Sequence, residues 1–91
     1  MHYLYVLMSD GEDPEFYIGE TSDLRTRFQN HNLGLNTSTR GRNWRLAYYE
    51  AYVSRSAAKK RERLLKLNGQ SRKLLMQRIR ASLEEKDSEL G

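Results

Sequence analysis

Two tyrosines lie at positions from which they could share one reactive site. Tyr5 and Tyr17 belong to short apolar segments that are predicted to pair as a hairpin. If Met8 and Phe16 pair beside the turn, Tyr5 lies opposite Gly19 and diagonal to Tyr17 on the same sheet face. Because glycine has no side chain, we expect space for a substrate beside the two hydroxyl groups. Tyrosine is also an ordinary strand residue, so a purely structural role stays open.

A guanidinium and an imidazole are predicted to lie together on the helix that follows. Arg27 and His31 are four residues apart and therefore share a helix face, which borders an apolar stripe of Leu24 and Phe28. Arginine can hold a phosphate through two donors, and histidine can move a proton near neutral pH. A histidine on such a stripe is more often a packing residue, so the pair alone does not establish chemistry.

One carboxylate stands out in the second half of the chain. Glu62 is the only acidic residue between positions 51 and 83, and helical spacing places it on a stripe with Ala58 and Leu65. Because burying an unpartnered carboxylate is costly, Glu62 should meet either a cation or a metal ion. A single carboxylate suits Mg²⁺, which keeps several waters and takes other ligands from a substrate phosphate. An ion pair with a neighbouring arginine is the alternative.

Charge is distributed unevenly along the chain, although the net charge is only +4. Residues 1–24 contain six acidic residues and no Lys or Arg. Residues 25–83 hold fifteen of the sixteen basic residues and only two acidic ones. Most of the basic residues are arginines, whose planar group grips phosphate with two parallel donors. The block therefore indicates a phosphate-rich partner, with a merely solvated helical surface as the alternative.

The elements that must position these residues form one small domain. Strands are predicted over 2–8, 16–20 and 44–53, with helices over about 23–33, 55–67 and 71–83. The predicted helix caps are Ser22, Ser54 or Ser56, and Ser71, and Gly34 is predicted to end the first helix. The order β-β-α-β-α-α predicts an α+β domain over residues 1–83, with helices packed on an antiparallel sheet. An acidic tail, 84–91, is expected to fray.

Composition excludes several classes of protein. The chain has no cysteine, which excludes disulfides, thiolate metal sites and thiol nucleophiles. Its longest apolar run, residues 3–8, is far shorter than the roughly 20 residues of a membrane span. The N-terminus lacks the features of a secretory signal. We therefore expect a soluble cytoplasmic domain that does not contact membranes.

Together, these motifs resemble the GIY-YIG nuclease domain, most closely its small standalone bacterial branch. The matching residues are Tyr3-Leu4-Tyr5, Tyr17-Ile18-Gly19, Thr21, Asp23-Leu24, Arg27, His31-Asn32 and Glu62. The resemblance extends over about residues 2–80. The first motif has Tyr-Leu-Tyr where the family has Gly-Ile-Tyr, and Asn68 is the one match for a late asparagine of some relatives.

The resemblance implies a fold and a set of roles. The fold is a three-stranded antiparallel sheet flanked by helices. The catalytic residues would be Tyr5, Tyr17, Arg27 and His31, with Glu62 holding Mg²⁺, for which Mn²⁺ can substitute. Tyr5 would take a proton from the attacking water, Arg27 would stabilise phosphate charge, and His31 would hydrogen-bond near Tyr5. Because the pKa of a free tyrosine is near 10, we expect positive charge from Arg27, His31 and the metal to lower that of Tyr5.

The expected activity is metal-dependent endonucleolytic cleavage of DNA, in repair or recombination. RNA is an alternative substrate, and a protein partner could select the target. The expected strand contacts are Arg40, Arg42, Arg45, Lys59, Lys60 and Arg63. A different class stays open, namely a catalytically silent module of the same fold that binds nucleic acid or docks on a protein. Competent residues at all five family positions favour the enzyme, whereas the lack of a separate targeting domain favours the module.

Overall fold

The computed structural model describes residues 1–90, except for the side chains of Ser38 and 87–90. Strands β1 (His2–Ser9), β2 (Phe16–Thr21) and β3 (Trp44–Tyr52) form one antiparallel sheet in the order β2-β1-β3. The helices are α1 (Leu24–Asn32), α2 (Arg55–Leu67) and α3 (Gly69–Leu90), and a 3₁₀ turn spans Thr37–Thr39. The predicted α+β class and the order β-β-α-β-α-α are confirmed.

The first strand lies in the centre of the sheet. Every side chain from Leu4 to Ser9 is buried, because β1 has a strand on each side and helices on both faces. In the β1–β2 ladder Met8 pairs with Phe16 and Tyr5 with Gly19, as the sequence predicts. On its other side Tyr5 pairs with Tyr49 of β3. This register fixes which tyrosines share a face of the sheet.

Each face of the sheet has its own apolar cluster. Helices α2 and α3 cover one face, where the buried residues are Leu4, Val6, Ile18, Leu65, Leu75 and Ile79. Helix α1 covers the other, where Tyr5, Leu7 and Trp44 are buried and Tyr17, Leu24 and Phe28 pack around them. Burial of each large aliphatic side chain contributes about 1.5–3 kcal/mol. The small second cluster contains two tyrosines and thus places polar groups inside the fold.

Two helix starts differ from the predicted caps. Asp23 rather than Ser22 caps α1, and its side chain accepts a hydrogen bond from a backbone N–H of the first turn. A carboxylate also suits the positive end of the helix dipole. Helix α3 begins before Ser71, because the Asn68 side chain accepts the hydrogen bond of the Ser71 amide and is itself the cap. Ser54, one of two predicted candidates, caps α2.

The ends of α1 and α3 also bear on the prediction. Gly34 follows α1 with a φ of 76°, and its amide donates to the His31 carbonyl, so the predicted stop is confirmed. Helix α3 continues through 84–90, the segment expected to fray, and the side chains of 84–86 are exposed. Gly91 lies outside the described residues. Over the part of the chain that the structure describes, no helix is both long and apolar enough to cross a membrane.

Candidate active site

The centre of the site is a buried hydrogen bond between β1 and α1. The hydroxyl of Tyr5 lies 2.9 Å from Nε2 of His31. Tyr5 is 2% exposed and His31 is completely buried. The other ring nitrogen of His31, Nδ1, lies 2.7 Å from Oγ1 of Thr39, which is also buried. A phenol, an imidazole and an alcohol therefore form one continuous chain of hydrogen bonds in the interior.

The Tyr5 ring lies across Gly19, its partner in the β1–β2 ladder. A Cβ atom at position 19 would overlap Cζ and the hydroxyl oxygen of Tyr5. Gly19 does not have a positive φ, so the position needs glycine for space and not for backbone conformation. The expectation of substrate space opposite Gly19 is wrong, because the tyrosine itself fills that space.

Two further aromatic contacts place Tyr17 beside the same pair. The Tyr17 ring lies 4.7 Å from the His31 ring and 6.2 Å from the Tyr5 ring, measured between centroids. The ammonium group of Lys66 lies over the Tyr17 ring, 5.8 Å from its centroid. The three predicted residues Tyr5, Tyr17 and His31 are thus brought together, and Lys66 of α2 joins them.

Electrostatics in the chain run against the expected activation of Tyr5. Burial raises the pKa of Tyr5, the Tyr17 phenol raises it further, and the Arg27 guanidinium only partly opposes them. Burial, followed by the Arg27 charge, lowers the pKa of His31. His31 is therefore neutral at pH 7 and supplies no positive charge to Tyr5. The expectation that His31 lowers the Tyr5 pKa is wrong, whereas Arg27 does act in the expected direction.

Glu62 lies on α2 at the edge of the buried stripe. Ala58 and Leu65 are completely buried, as predicted for that stripe, but the Glu62 side chain is 25% exposed. Its Oε2 lies 3.4 Å from Nζ of Lys66, so the nearby cation is a lysine and not an arginine. The Glu62 charge is close enough to raise the Tyr5 pKa. Because Lys66 also lies over the Tyr17 ring, Glu62 is a carboxylate beside the site.

The fit of a metal ion depends on this carboxylate. Among residues 1–86, whose acidic and histidine side chains the structure describes, no three His, Asp or Glu side chains are grouped as a metal site. One partly exposed carboxylate held only by an exposed lysine is a donor set that suits Mg²⁺, because this ion retains most of its waters. Zn²⁺ by contrast takes three or four protein nitrogen or sulfur ligands, which the site does not offer.

Arg27 projects from α1 into a surface cavity. The cavity has a volume of about 250 Å³ and is lined by His2, Glu20, Thr21, Ser22, Arg27 and Arg55. Arg27 is exposed, yet its charge reaches both Tyr5 and His31. Because this guanidinium is open to solvent, it can bind a phosphate while its charge still acts on Tyr5 and His31.

The six predicted strand contacts fall into two groups. Lys59, Lys60 and Arg63 line an open cavity of about 550 Å³ together with Arg55 and Ser56. Arg55 also lines the Arg27 cavity, so it connects this group to the site.

The second group, Arg40, Arg42 and Arg45, lies in or beside the loop that precedes β3. Nε of Arg40 donates to the Gly34 carbonyl, and Arg42 forms a 2.9 Å ion pair with Glu15. Arg45 is exposed on β3. Arg42 is thus partly neutralised by the acidic turn, which reduces what it can offer to a phosphate.

Three residues near the site were missed in the sequence. Thr39 lies in a 3₁₀ turn within a segment whose composition predicts only a loop. Lys66 follows Glu62 by four residues, a spacing that predicts an ion pair and could have identified it. No feature of the sequence distinguishes Arg55 from the other arginines of the chain.

Two comparisons with known proteins find similar sequences. The family model for the GIY-YIG catalytic domain matches residues 1–80. The UPF0213 protein HQ_3675A of Haloquadratum walsbyi is 37% identical over 67 residues, which cover 71% of this chain and 73% of that protein. No solved structure matches the chain significantly.

Proposed function

The chain belongs to the GIY-YIG catalytic domain family, and on this premise we propose that it is a Mg²⁺-dependent endonuclease that hydrolyses phosphodiester bonds in DNA. The observation that carries the proposal is the buried 2.9 Å hydrogen bond between Tyr5 and His31, with Tyr17 packed against both. Around it lie a guanidinium and a carboxylate, Arg27 and Glu62. These groups could serve metal-assisted phosphodiester hydrolysis as a proton acceptor, a phosphate clamp and a metal ligand.

The raised pKa of Tyr5 determines how it can act as a base. A standing phenolate would be costly at pH 7, because burial favours the neutral form. Neutral His31 offers another route, in which Tyr5 passes its own proton to Nε2 as it takes one from the attacking water. The water oxygen then forms its bond to phosphorus, the bond to the leaving oxygen breaks, and that oxygen is protonated by solvent. His31 ends the step as an imidazolium.

Charge that develops on the phosphate needs stabilisation outside the buried pair. Arg27 would donate to a non-bridging oxygen from the cavity at the N-terminal end of α1. Glu62 would hold Mg²⁺, which supplies Lewis-acid stabilisation of phosphate charge when it is bound. Lys66, which pairs with Glu62 in the protein alone, would be displaced from that carboxylate.

The basic surface supports nucleic acid as the substrate. The cavity lined by Lys59, Lys60 and Arg63 is joined to the Arg27 cavity through Arg55. A strand backbone lying along α2 would therefore meet successive cations before it reaches the site. Binding of this kind weakens steeply with salt, with a log–log slope of about −0.9 for each phosphate neutralised on duplex DNA.

The test is cleavage of labelled DNA by the purified protein. Single-stranded, duplex, flap and branched substrates are incubated with and without Mg²⁺ or Mn²⁺, beside the variants Glu62→Ala and Arg27→Ala. We expect metal-dependent cleavage of at least one substrate by the wild type and its loss in both variants. An RNA substrate in the same series separates deoxyribonuclease from ribonuclease activity.

The same assay identifies the alternative class. Salt-dependent DNA binding without cleavage of any substrate would contradict the enzyme and support a binding module. Cleavage that survives Glu62→Ala would show that the activity comes from a contaminant or uses another metal site.

A further inference from the structure

Thr39 is a buried polar residue that the proposed chemistry has not yet used. Its side-chain oxygen lies 2.7 Å from Nδ1 of His31 and 3.4 Å from the carbonyl oxygen of Asn36. Thr39 is 1% exposed, so these contacts are shielded from water. A buried hydroxyl between an imidazole and a carbonyl is constrained in which group it donates to.

One arrangement of the Thr39, His31 and Tyr5 side-chain hydrogens gives each of them an acceptor. The Asn36 carbonyl, which can only accept, lies 3.4 Å away and can take the single Thr39 hydroxyl hydrogen. Thr39 must then accept from His31, which places the imidazole hydrogen on Nδ1. Nε2 is left with a free lone pair, toward which the Tyr5 hydroxyl donates. The opposite assignment would have Nε2 donate to Tyr5, whose own buried hydroxyl hydrogen would then have no acceptor among the described side chains.

Two backbone hydrogen bonds hold Thr39 at this position in addition to those of its hydroxyl. The Thr39 amide donates to the Asn36 carbonyl at 3.2 Å, and the Thr39 carbonyl accepts from the indole nitrogen of Trp44 at 2.8 Å. Both backbone groups of Trp44 are bonded to the Asn32 side chain, at 2.8 and 3.0 Å. Asn32 adjoins His31 in α1, so Trp44 ties the threonine and the histidine to one frame.

We propose that Thr39 is a positioning residue that holds His31 as the Nδ1–H tautomer, so that Nε2 is free to accept the Tyr5 proton. Thr39 does not touch substrate, and it acts only through His31. The catalytic consequence rests on the proposed nuclease function, whereas the tautomer itself does not. A neutral imidazole of the other tautomer would present a hydrogen to Tyr5 and could not take one from it.

The tautomer is measured directly by long-range ¹H–¹⁵N NMR of the imidazole ring. The chain has two histidines, and a His2→Gln background leaves only the His31 signals. We expect a protonated Nδ1 and an unprotonated Nε2 in the wild type at pH 7.5. Thr39→Val keeps the side-chain shape and the backbone bonds but removes the hydroxyl, so the Nδ1–H signature should weaken. Thr39→Ser should restore it.

A matched control lies in the same turn. Thr37 is exposed, so Thr37→Val should leave the His31 signals unchanged. A wild type whose His31 is protonated at Nε2, or a Thr39→Val variant with an unaltered tautomer, overturns the proposal. The wild-type spectrum decides this even if Thr39→Val does not fold.

Cleavage assays add the catalytic part. For metal-bound histidines, removing the partner that orients the ring typically costs about 10–100-fold in activity. We expect that loss for Thr39→Val, and near wild-type rates for Thr39→Ser and Thr37→Val. A wild type that shows the Nδ1–H tautomer but cleaves no DNA would contradict the nuclease function and leave the assignment of Thr39 standing. Full activity in a Thr39→Val protein of altered tautomer would contradict the catalytic consequence alone.

Discussion

The ring of Tyr5 occupies the space above Gly19, and the two residues are direct partners in the β1–β2 ladder. This relationship explains how a buried tyrosine reaches α1. With any side chain at position 19 the ring could not cross β2, and its hydroxyl would not meet Nε2 of His31. The second tyrosine motif thus contributes to the site through its glycine as well as through Tyr17.

Replacing Gly19 with alanine should therefore damage the site more than the fold. The added methyl group forces the Tyr5 ring to move and breaks its hydrogen bond to His31, so cleavage should fall by about 10²-fold or more. Overpacking of this kind costs about 1–3 kcal/mol of stability. Activity assays and urea unfolding measure the two effects. Gly69→Ala is the control, because its Cβ would meet no atom closer than 3.7 Å.

Tyr5 and His31 should behave as one catalytic unit. We expect Tyr5→Phe and His31→Gln each to lower kcat by about 10²–10⁴-fold, which is the usual contribution of a positioned acid or base. The double variant should be no less active than the less active of the two single variants, because either change alone already breaks the proton path from Tyr5 to His31. Tyr49→Phe, at an exposed tyrosine paired with Tyr5 in the other ladder, is the control. Multiplicative losses in the double variant would contradict a shared proton path.

The pH dependence should report His31 on the acid side. Because burial and then Arg27 lower its pKa below the ordinary 6.5, the imidazole should stay neutral at pH 7 and lose its acceptor only at lower pH. We expect kcat/KM to be level near pH 7 and to fall at lower pH, as the pH drops through the lowered pKa of His31. A rate that rises steadily from pH 7 to pH 10 would instead indicate that Tyr5 works as a free phenolate.

The stability of the fold should also depend on pH in the range in which His31 titrates. The unfolded chain binds the His31 proton at a higher pH than the folded protein, so stability falls as the pH is lowered from 6.5 to the folded pKa. Urea unfolding at several pH values measures this loss. His31→Gln should remove this contribution, because glutamine does not titrate.

Glu62 and Lys66 allow the metal role to be separated from simple charge. Glu62→Gln should abolish Mg²⁺-dependent cleavage, because the amide is a poor ligand for this ion. Lys66→Met removes the competing ammonium, and since an exposed ion pair is worth about 0–1 kcal/mol, Mg²⁺ binding should tighten by up to about fivefold. The DNA cleavage assay checks the first prediction, and calorimetric titration with Mg²⁺ checks the second. Glu84→Gln, on the exposed side of α3, controls for the loss of a negative charge.

The sequence predicts the elements that carry the site better than the buried contacts within it. Alternating and helical periodicity give the element order, the hairpin register and the shared face of Arg27 and His31, because these depend on local spacing. The role of Thr39 depends on a fold-back of the 34–43 loop, in which Trp44 contacts both Thr39 and the Asn32 side chain of α1, and no local periodicity encodes these contacts. The burial of Tyr5, which reverses its expected pKa shift, likewise depends on packing across three elements and has no local pattern.

The opposite face of the sheet contains a second polar cluster that should serve stability alone. Glu50 on β3 accepts hydrogen bonds from the hydroxyls of Tyr48 and Tyr52 and pairs with Arg61 of α2 at 2.9 Å. Burial alone would raise the Glu50 pKa, but the hydrogen bonds from Arg61 and the two tyrosines outweigh it and lower that pKa. Burial and the Glu50 contact raise the pKa of Tyr48 to about 12. Glu50 therefore stays ionised and anchors α2 to the sheet.

Glu50→Gln should accordingly destabilise the fold without changing the Tyr5–His31 bond. Removing an ionised partner from a part-buried network costs about 1–3 kcal/mol, which for a domain of this size lowers Tm by about 4–8 °C per kcal/mol. Glu15→Gln is the control, because Glu15 also pairs with an arginine but is 60% exposed and should cost at most about 1 kcal/mol. Since the Glu50 pKa is lowered on folding, its contribution is present above pH 4.5 and lost as the pH falls through the folded pKa. Urea unfolding at pH 7 should show a larger loss of stability for Glu50→Gln than for Glu15→Gln, and at pH 4 this difference should be smaller. Equal losses for the two variants at pH 7 would contradict a structural role for this network.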